Sequence, residues 1–480
     1  MFDIKQIRNA IELQYIGFNP NTAKIKPAHL ANGLFRVMLS YRYDTTRLLQ
    51  FVYTPLKEGN PLRGCEPQTI YDQLVTAKHI NPRDVSLPQV SALRSALRKI
   101  VTADNAVYPG MDSYSAGAAP FVSNDHIGQD AGEFLALWLQ RDAPRFRDTI
   151  LSALMQLTDP ITVTATPLFD EDVPKPVVVK GADTILAFGD TCPPTLQRGM
   201  GTLAIAAEQL AVHMNAHPNK LARLRMAMLL SSFLVVRYLV DLEALFTPST
   251  SRARPIFLLD FSSANNTPIR AASQRSYIFA CQAMTRFYTW MFAQYLRDRY
   301  TLEDLAQVPT YGTKMKSAER QVIADVWQGA NDDQRDAPDP YRVYGQAVYD
   351  IIVLLSEAPI LYMRQIGIRG GLFWPPYGLQ PTKQMAPRQD MLEVLIRSVC
   401  CQGEILTLGQ IQDRLWQTFG IIIGGRAEDL DLLVSAGIYQ ADSQALEHNQ
   451  ASFVQQLSDL SFARLLADGV LNVQVGTAWN

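Results

Sequence analysis

The chain has 480 residues, is 48% hydrophobic and 19% charged, and carries a formal charge of −2. That balance excludes a chain whose main state is disorder and suits two or three cores at roughly 100 to 200 residues per domain. The near-neutral total hides a division: from Lys220 to Tyr300 eleven basic residues face four acids, a net of +7, and from Arg388 onward five Arg face eleven acids, a net of −6, so the two stretches are expected to meet different partners.

The opening Met1-Phe2-Asp3-Ile4-Lys5 lacks a basic segment followed by an apolar core, so no secretory leader is expected. Five scattered cysteines without CxxC spacing suit a reducing compartment, and a cytoplasmic location is expected. Pro-bearing loops at 55–61, 82–88 and 109–120 separate helical patterns at Ser91 to Val101, Gly132 to Leu139 and 145–157, which gives an α-helical domain over 1–160. Ser113, Ser115, Asp125 and His126 supply hydrolase residue types, yet Ser113-Tyr114-Ser115-Ala116-Gly117 does not match GxSxG. Short β-branched runs at 161–164, 177–180 and 184–188 then predict a small β insertion over 161–195.

A basic, mainly helical domain follows over 196–376, with helices predicted at 196–215, 221–245 and 271–299. The apolar run from Met226 to Val236 is bracketed by Arg225 and Arg237, too short for the ~20 residues of a membrane span, so it reads as a buried helix and no membrane contact is expected. Arg223, Arg225 and Arg237 are candidates for a nucleic-acid face, because Arg neutralises phosphates. Tyr277, Phe287, Tyr288 and Trp290 would stack bases beside them, or at this helical spacing fill the core. His213 and His217 stand four apart, but the HExxH glutamate and a third ligand are missing, so no metal is expected.

Pro255 to Phe261 reads as a strand, Ser262 to Thr267 as a polar loop, and Ala271 as the start of a helix. That order aims Asn266, Arg270 and Arg275 at a helix N-terminus, where free backbone N–H groups favour an anion. The plainer alternative is a structural ion pair between Asp260 and Arg270 or Arg275. After a polar linker at 330–340, a helix over 344–357 leads to the Gly-rich loop at 367–377, which places Arg369 among Phe373, Trp374 and Tyr377 as another candidate. Residues 377–387 read as a linker. There is no GxxxxGK[ST], no GxGxxG and no other cofactor motif, so no cofactor is expected.

The acidic module over 388–480 carries a helix at 389–400, a short strand at 404–406, a helix capped by Thr407 and ending near Phe419, and a third helix after Gly424-Gly425 that stops at Gly437. Helix, strand, helix, turn, helix is the order of a winged-helix domain, although 451–468 reads as a further helix where a wing is expected and only 470–475 as a strand. Glu428, Asp429 and Asp431 open the third helix; they complement its dipole and disfavour phosphate, which points to a protein partner rather than to DNA. Cys400 and Cys401 read as buried small residues.

With the winged-helix-like residues 389–437, this mainly α multi-helical body resembles the helical accessory subunits of prokaryotic antiphage defence systems. The resemblance implies a non-enzymatic subunit of a multi-protein assembly, contacting nucleic acid through the basic helices and a protein through the C-terminal module. Two alternatives stand beside it: an enzyme that surrounds a phosphate-bearing substrate with Asp260, Arg270, Arg275 and Arg369, and a protein-binding scaffold.

Overall fold

A computed structural model describes residues 2–20, 25–42, 67–76, 83, 86–92, 95, 129–155, 175–176, 194–246, 254–262, 267–312, 315–355, 359–376, 383–465 and 471–476. Among them the chain is mainly helical. In order come α1 (Ile4–Tyr15), α2 (Pro27–Leu39), β1 (Tyr41–Arg42), α3 (Pro67–Thr76), α4 (Gln129–Asp142), α5 (Pro144–Met155), β2 (Lys175–Pro176), α6 (Pro194–Ala216), α7 (Lys220–Phe246), β3 (Phe257–Leu258) and α8 (Pro268–Arg299). Then follow α9 (Leu302–Leu305), α10 (Ser317–Asp333), α11 (Pro340–Leu354), α12 (Pro359–Arg369), β4 (Phe373–Trp374), β5 (Gln384–Met385), α13 (Gln389–Arg397), β6 (Ile405–Thr407), α14 (Leu408–Phe419), β7 (Ile421–Ile422), α15 (Asp429–Ser435), α16 (Ser443–Asp459), β8 (Ala463–Leu465) and β9 (Leu471–Gln474).

The central element is α7, buried without interruption from Met226 to Glu243. A helix that is apolar on every side belongs inside. Its few polar groups are served locally: Ser231 and Ser232 donate to Ala227 O and Met228 O one turn back, at 2.8 and 2.9 Å. Among the described residues no single helix is long and apolar enough to cross a membrane.

Around α7 the N-terminal helices close in. Asp3 caps α1 and also accepts from the Gly312 N–H at 3.0 Å, while Ile4 N donates to Thr310 O at 2.9 Å, so the first turn is fixed to a segment 300 residues away. The helices α2 and α4 pack backbone to backbone at Gly132, where a Cβ would stand 2.2 Å from Leu30 O, and the buried pair Arg36–Glu133 spans the same contact. The contiguous apolar core takes residues from Phe2 through Val475.

Four short strands form a ribbon over the start of α8. β3 pairs in parallel with β7, β4 pairs antiparallel with β5, and a parallel bridge between Leu259 and Met385 joins the two pairs. The expected strand at 255–261 thus finds its neighbours in the C-terminal module and in the stretch expected to be a linker. That linker reading is corrected: β5 is buried because Met385 N takes its hydrogen bond from the chain's interior, donating to Ser273 Oγ of α8 at 2.8 Å. The linker at 330–340 is also shorter than expected, since α10 runs to Asp333 and α11 begins at Pro340. The helix α12 takes up Gly367, which the sequence reading placed in a loop; Gly367 suits the helix because the Phe373 ring lies against it.

Beyond Arg388 the observed elements follow the expected order as far as Gly437, except that the unexpected strand β7 stands between α14 and α15. Thr407 accepts from Gln410 N at 3.3 Å in a capping box, and α14 ends at Gly420 with φ +65°. The expected helix at 451–468 is corrected. The helix α16 stops at Asp459, Ser461 adopts φ +59°, and the chain returns as β8, which pairs with β9. With β6 this makes a three-stranded antiparallel sheet in the order β6-β9-β8. Of the β insertion, the runs at 161–164, 177–180 and 184–188 lie outside the described residues; Lys175–Pro176 pair antiparallel with Tyr41–Arg42.

Candidate functional site

The basic stretch turns largely inward. Arg237 is 0% exposed; its guanidinium pairs with Asp241 one turn on, donates from Nη1 to Pro255 O at 2.9 Å and lies 4.5 Å from the Phe257 ring centre. Arg254 reaches the same carboxylate at 2.9 Å. Burial opposes ionisation of Asp241, but the charges of Arg237 and Arg254 outweigh it and hold its pKa below the usual carboxylate range. Arg286 grips Glu243 with two bonds of 2.5 and 2.7 Å. The expectation that Arg237 lies on an accessible face is therefore corrected: an Arg closed in by α7, Pro255 and Phe257 has no donor to give an external phosphate.

The other candidates are scattered. Arg223 Nε donates to His217 O at 2.7 Å, and exposed Arg225 pairs with Asp390 of α13 at 2.8 Å. Arg369 donates to Ile25 O at 2.6 Å, which fixes it beside the N-terminal helices rather than with Arg270 and Arg275. Arg275 lies over the Phe279 ring at 4.5 Å.

The loop before α8 was legible in outline. Thr267 caps the helix through Arg270 N at 3.1 Å, and Pro268 occupies its first position. Asp260, two residues beyond β3, is 3% exposed; its Oδ1 accepts from Ser262 N at 2.8 Å and Ser262 Oγ at 2.6 Å, while Oδ2 has no hydrogen-bond partner among the described residues. Burial pushes the Asp260 carboxyl above its ordinary value. Neither expected ion pair, Asp260 with Arg270 or with Arg275, forms among the described contacts. Asn266 lies outside the described residues, as do Ser113, Ser115, Asp125 and His126. Of the four side chains of the phosphate-enzyme alternative, Arg270 acts on Asp260 through its charge, and Arg369 is bonded to Ile25 O.

The three acids of α15 divide. Asp429 is buried and holds Arg426 through Nε at 2.8 Å and Nη2 at 2.6 Å, an internal clamp that removes it from the expected partner surface. Glu428 shares Arg426 at 3.2 Å but is exposed, and Asp431 is exposed. On the same short element and the turn after it stand Val434, 44% exposed, and Tyr439, 70% exposed.

The remaining candidates are structural. His213 is buried, with Nε2 at 2.8 Å from Cys400 O, and burial lowers its pKa. His217 Nδ1 instead accepts from Asn219 N at 3.1 Å. No cluster of three metal-ligating side chains occurs among the described residues. Cys400 is buried, whereas Cys401, expected to be buried too, is exposed because the helix α13 has already ended. An open cleft of about 490 Å³ lies between α8, α10 and α11, lined by Arg286, Asp333, Asp339, Arg342 and Asp350 among others, but Arg286 there is held by Glu243 and Asp339 by Arg297.

Two features escaped the sequence reading. Asn449 of α16 donates to Leu259 O and Ile423 O, both at 2.7 Å, and accepts from Phe261 N at 2.8 Å, so one side chain closes the backbone ends of β3 and β7. Lys383, inside the supposed linker, is 2% exposed. Nothing short of the three-dimensional contacts marks either residue, since their neighbours lie far away in sequence. No family model, curated protein or solved structure matches this chain.

Proposed function

We propose that this chain is a non-enzymatic subunit of a larger assembly, as the resemblance to antiphage accessory subunits implies, and that its acidic C-terminal module docks a basic surface of a partner protein. The observation that carries this reading is the pair Val434 and Tyr439, exposed beside the exposed carboxylates of Glu428 and Asp431. An aromatic anchor with a charged rim is the composition of a protein interface. The surplus of acids would steer a basic partner. The order α13, β6, α14, β7, α15, α16, β8, β9, in which β6, β9 and β8 form a three-stranded sheet, supports reading the module as winged-helix-like, with β7 and α15 as additions before α16. Nucleic acid stands second, because Arg237 is enclosed and Arg225 is paired.

The test is affinity purification of the full chain from its native host, beside the double variant Tyr439→Ser, Asp431→Lys. A stoichiometric basic partner that elutes as salt rises and is lost from the variant is expected, with thermal stability unchanged because surface substitutions cost within about 0.5 kcal/mol. A partner retained by the variant would remove this surface.

A further inference from the structure

Three elements converge on Lys383. Phe373 and Met385 are cross-strand partners, and alternation along β5 turns Lys383 to the side on which Met385 and Phe373 lie. That side faces the helices: Met385 Sδ is 3.6 Å from Ser276 Oγ of α8, and the Phe373 ring is 5.1 Å from the ring of Tyr277 on the same helix. The third element is α12, whose Gly367 lies so close to Phe373 that a Cβ would stand 2.2 Å from the ring. Arg364 lies one turn before Gly367 and therefore on the same face of α12. Its charge is felt at Lys383, at Tyr277 and at Cys281.

The chemistry of this cluster is one-sided. Lys383 is 98% removed from solvent, and the Arg364 Nε and Tyr277 hydroxyl are buried without a hydrogen-bond partner among the described residues. Among the described residues no carboxylate acts on Lys383; burial first and then the Arg364 charge lower its pKa. This contrasts with the other deeply buried cations, Arg8, Arg36 and Arg237, each of which has its acid in Glu12, Glu133 or Asp241. A buried charge is stable only when paired, and here two cations and a hydroxyl donor come together with no anion among the described residues.

We infer that Lys383, Arg364 and Tyr277 form a binding site for a phosphate group, free or as the terminal group of a small ligand. Two positive charges match a phosphate dianion where a carboxylate would neutralise only one, and the Tyr277 hydroxyl serves a third oxygen. The inference is independent of the docking surface on α15.

The test is thermal unfolding and calorimetric titration of the full chain with inorganic phosphate at constant ionic strength, with acetate and a 5′-mononucleotide in parallel. Saturable stabilisation by phosphate is expected, with acetate ineffective; a mononucleotide binding more tightly than phosphate marks an organic ligand, and a weaker one marks free phosphate. Lys383→Met is expected to abolish the response while melting at or above the parent temperature in phosphate-free buffer, because it removes an unpaired buried charge. Tyr277→Phe, which deletes only the hydroxyl, is expected to weaken phosphate about tenfold with little change in melting temperature. Equal stabilisation by acetate, an unchanged phosphate response in both variants, or a lowered melting temperature of Lys383→Met without phosphate would overturn the site.

Discussion

The basic stretch over 220–300 and the acidic stretch beyond 388 look like mirror images in composition, but the fold treats them differently. In the first, Arg237 and Arg254 share Asp241, Arg286 holds Glu243, and Arg297 crosses to Asp339, so much of the positive charge is used within the body. In the second, Arg426 gathers Asp413, Glu428 and Asp429 and Arg414 takes Glu404, yet Asp431, Asp442 and Glu447 stay exposed. A local charge count thus says how many partners a stretch needs. It does not say whether those partners lie inside or outside the molecule, and here the basic stretch is the one that helps build the core.

The sharpest way to break this comparison is Arg237→Ala. Removing one member of a buried pair leaves Pro255 O and part of the Asp241 carboxylate unserved, and roughly 3 to 5 kcal/mol of stability should be lost. Arg225→Ala, at the exposed end of the same helix, should cost no more than about 1 kcal/mol. Urea unfolding of both variants measures the contrast. Similar small losses would return Arg237 to the surface and restore the symmetry of the two stretches.

Asn449→Asp sharpens the relation between the stretches, because Asn449 ties β3 of the basic region to β7 of the acidic one. The carboxylate keeps an acceptor for Phe261 N but presents charge to Leu259 O and Ile423 O, two buried carbonyls that lose their donor. With each of the two unserved groups worth about 1 to 3 kcal/mol, a loss of roughly 2 to 6 kcal/mol is expected. Faster proteolysis within 420–450, ahead of global unfolding, would accompany it. A variant as stable as the parent would mean that the two strands hold together without this side chain.

How much was legible follows from where each signal resides. The helices α7, α8 and α14 could be read from the chain because their causes are local: apolar spacing in all three, and Thr407 at the start of α14. The strand at β3 could be read as a strand but not paired, since its partners are Ile421–Ile422 and the bridge at Met385. Residues 377–387 looked like a linker for the same reason. A two-residue strand has no periodicity of its own, and the α8 hydroxyls, β4 and the bridge to Leu259 fix it in place. The candidate site fared worst where side-chain direction decided the outcome. Arg223, Arg225 and Arg237 are one composition signal but three environments, and Asp429 differs from Asp431 by two residues, which on a helix is a turn of about 200° from the core to water.

His213 offers the finest test of how the two stretches are joined. Its Nε2–H donates to Cys400 O at the end of α13, while Nδ1 is buried without a partner among the described residues. The neutral ring suits this site, and burial lowers the pKa from its ordinary 6.5. As pH falls through about 6.5 the unfolded chain takes up the proton first, so stability is constant above that value and declines below it until the folded-state pKa is reached. The slope for one group is at most about 1.4 kcal/mol per pH unit. His213→Gln keeps an N–H donor toward Cys400 O and removes the titration. The difference in unfolding free energy between parent and variant should therefore be flat from pH 8 to 7 and move in favour of the variant below pH 6.5. Parallel curves down to pH 5.5 would show that the buried imidazole does not sense the junction between body and module.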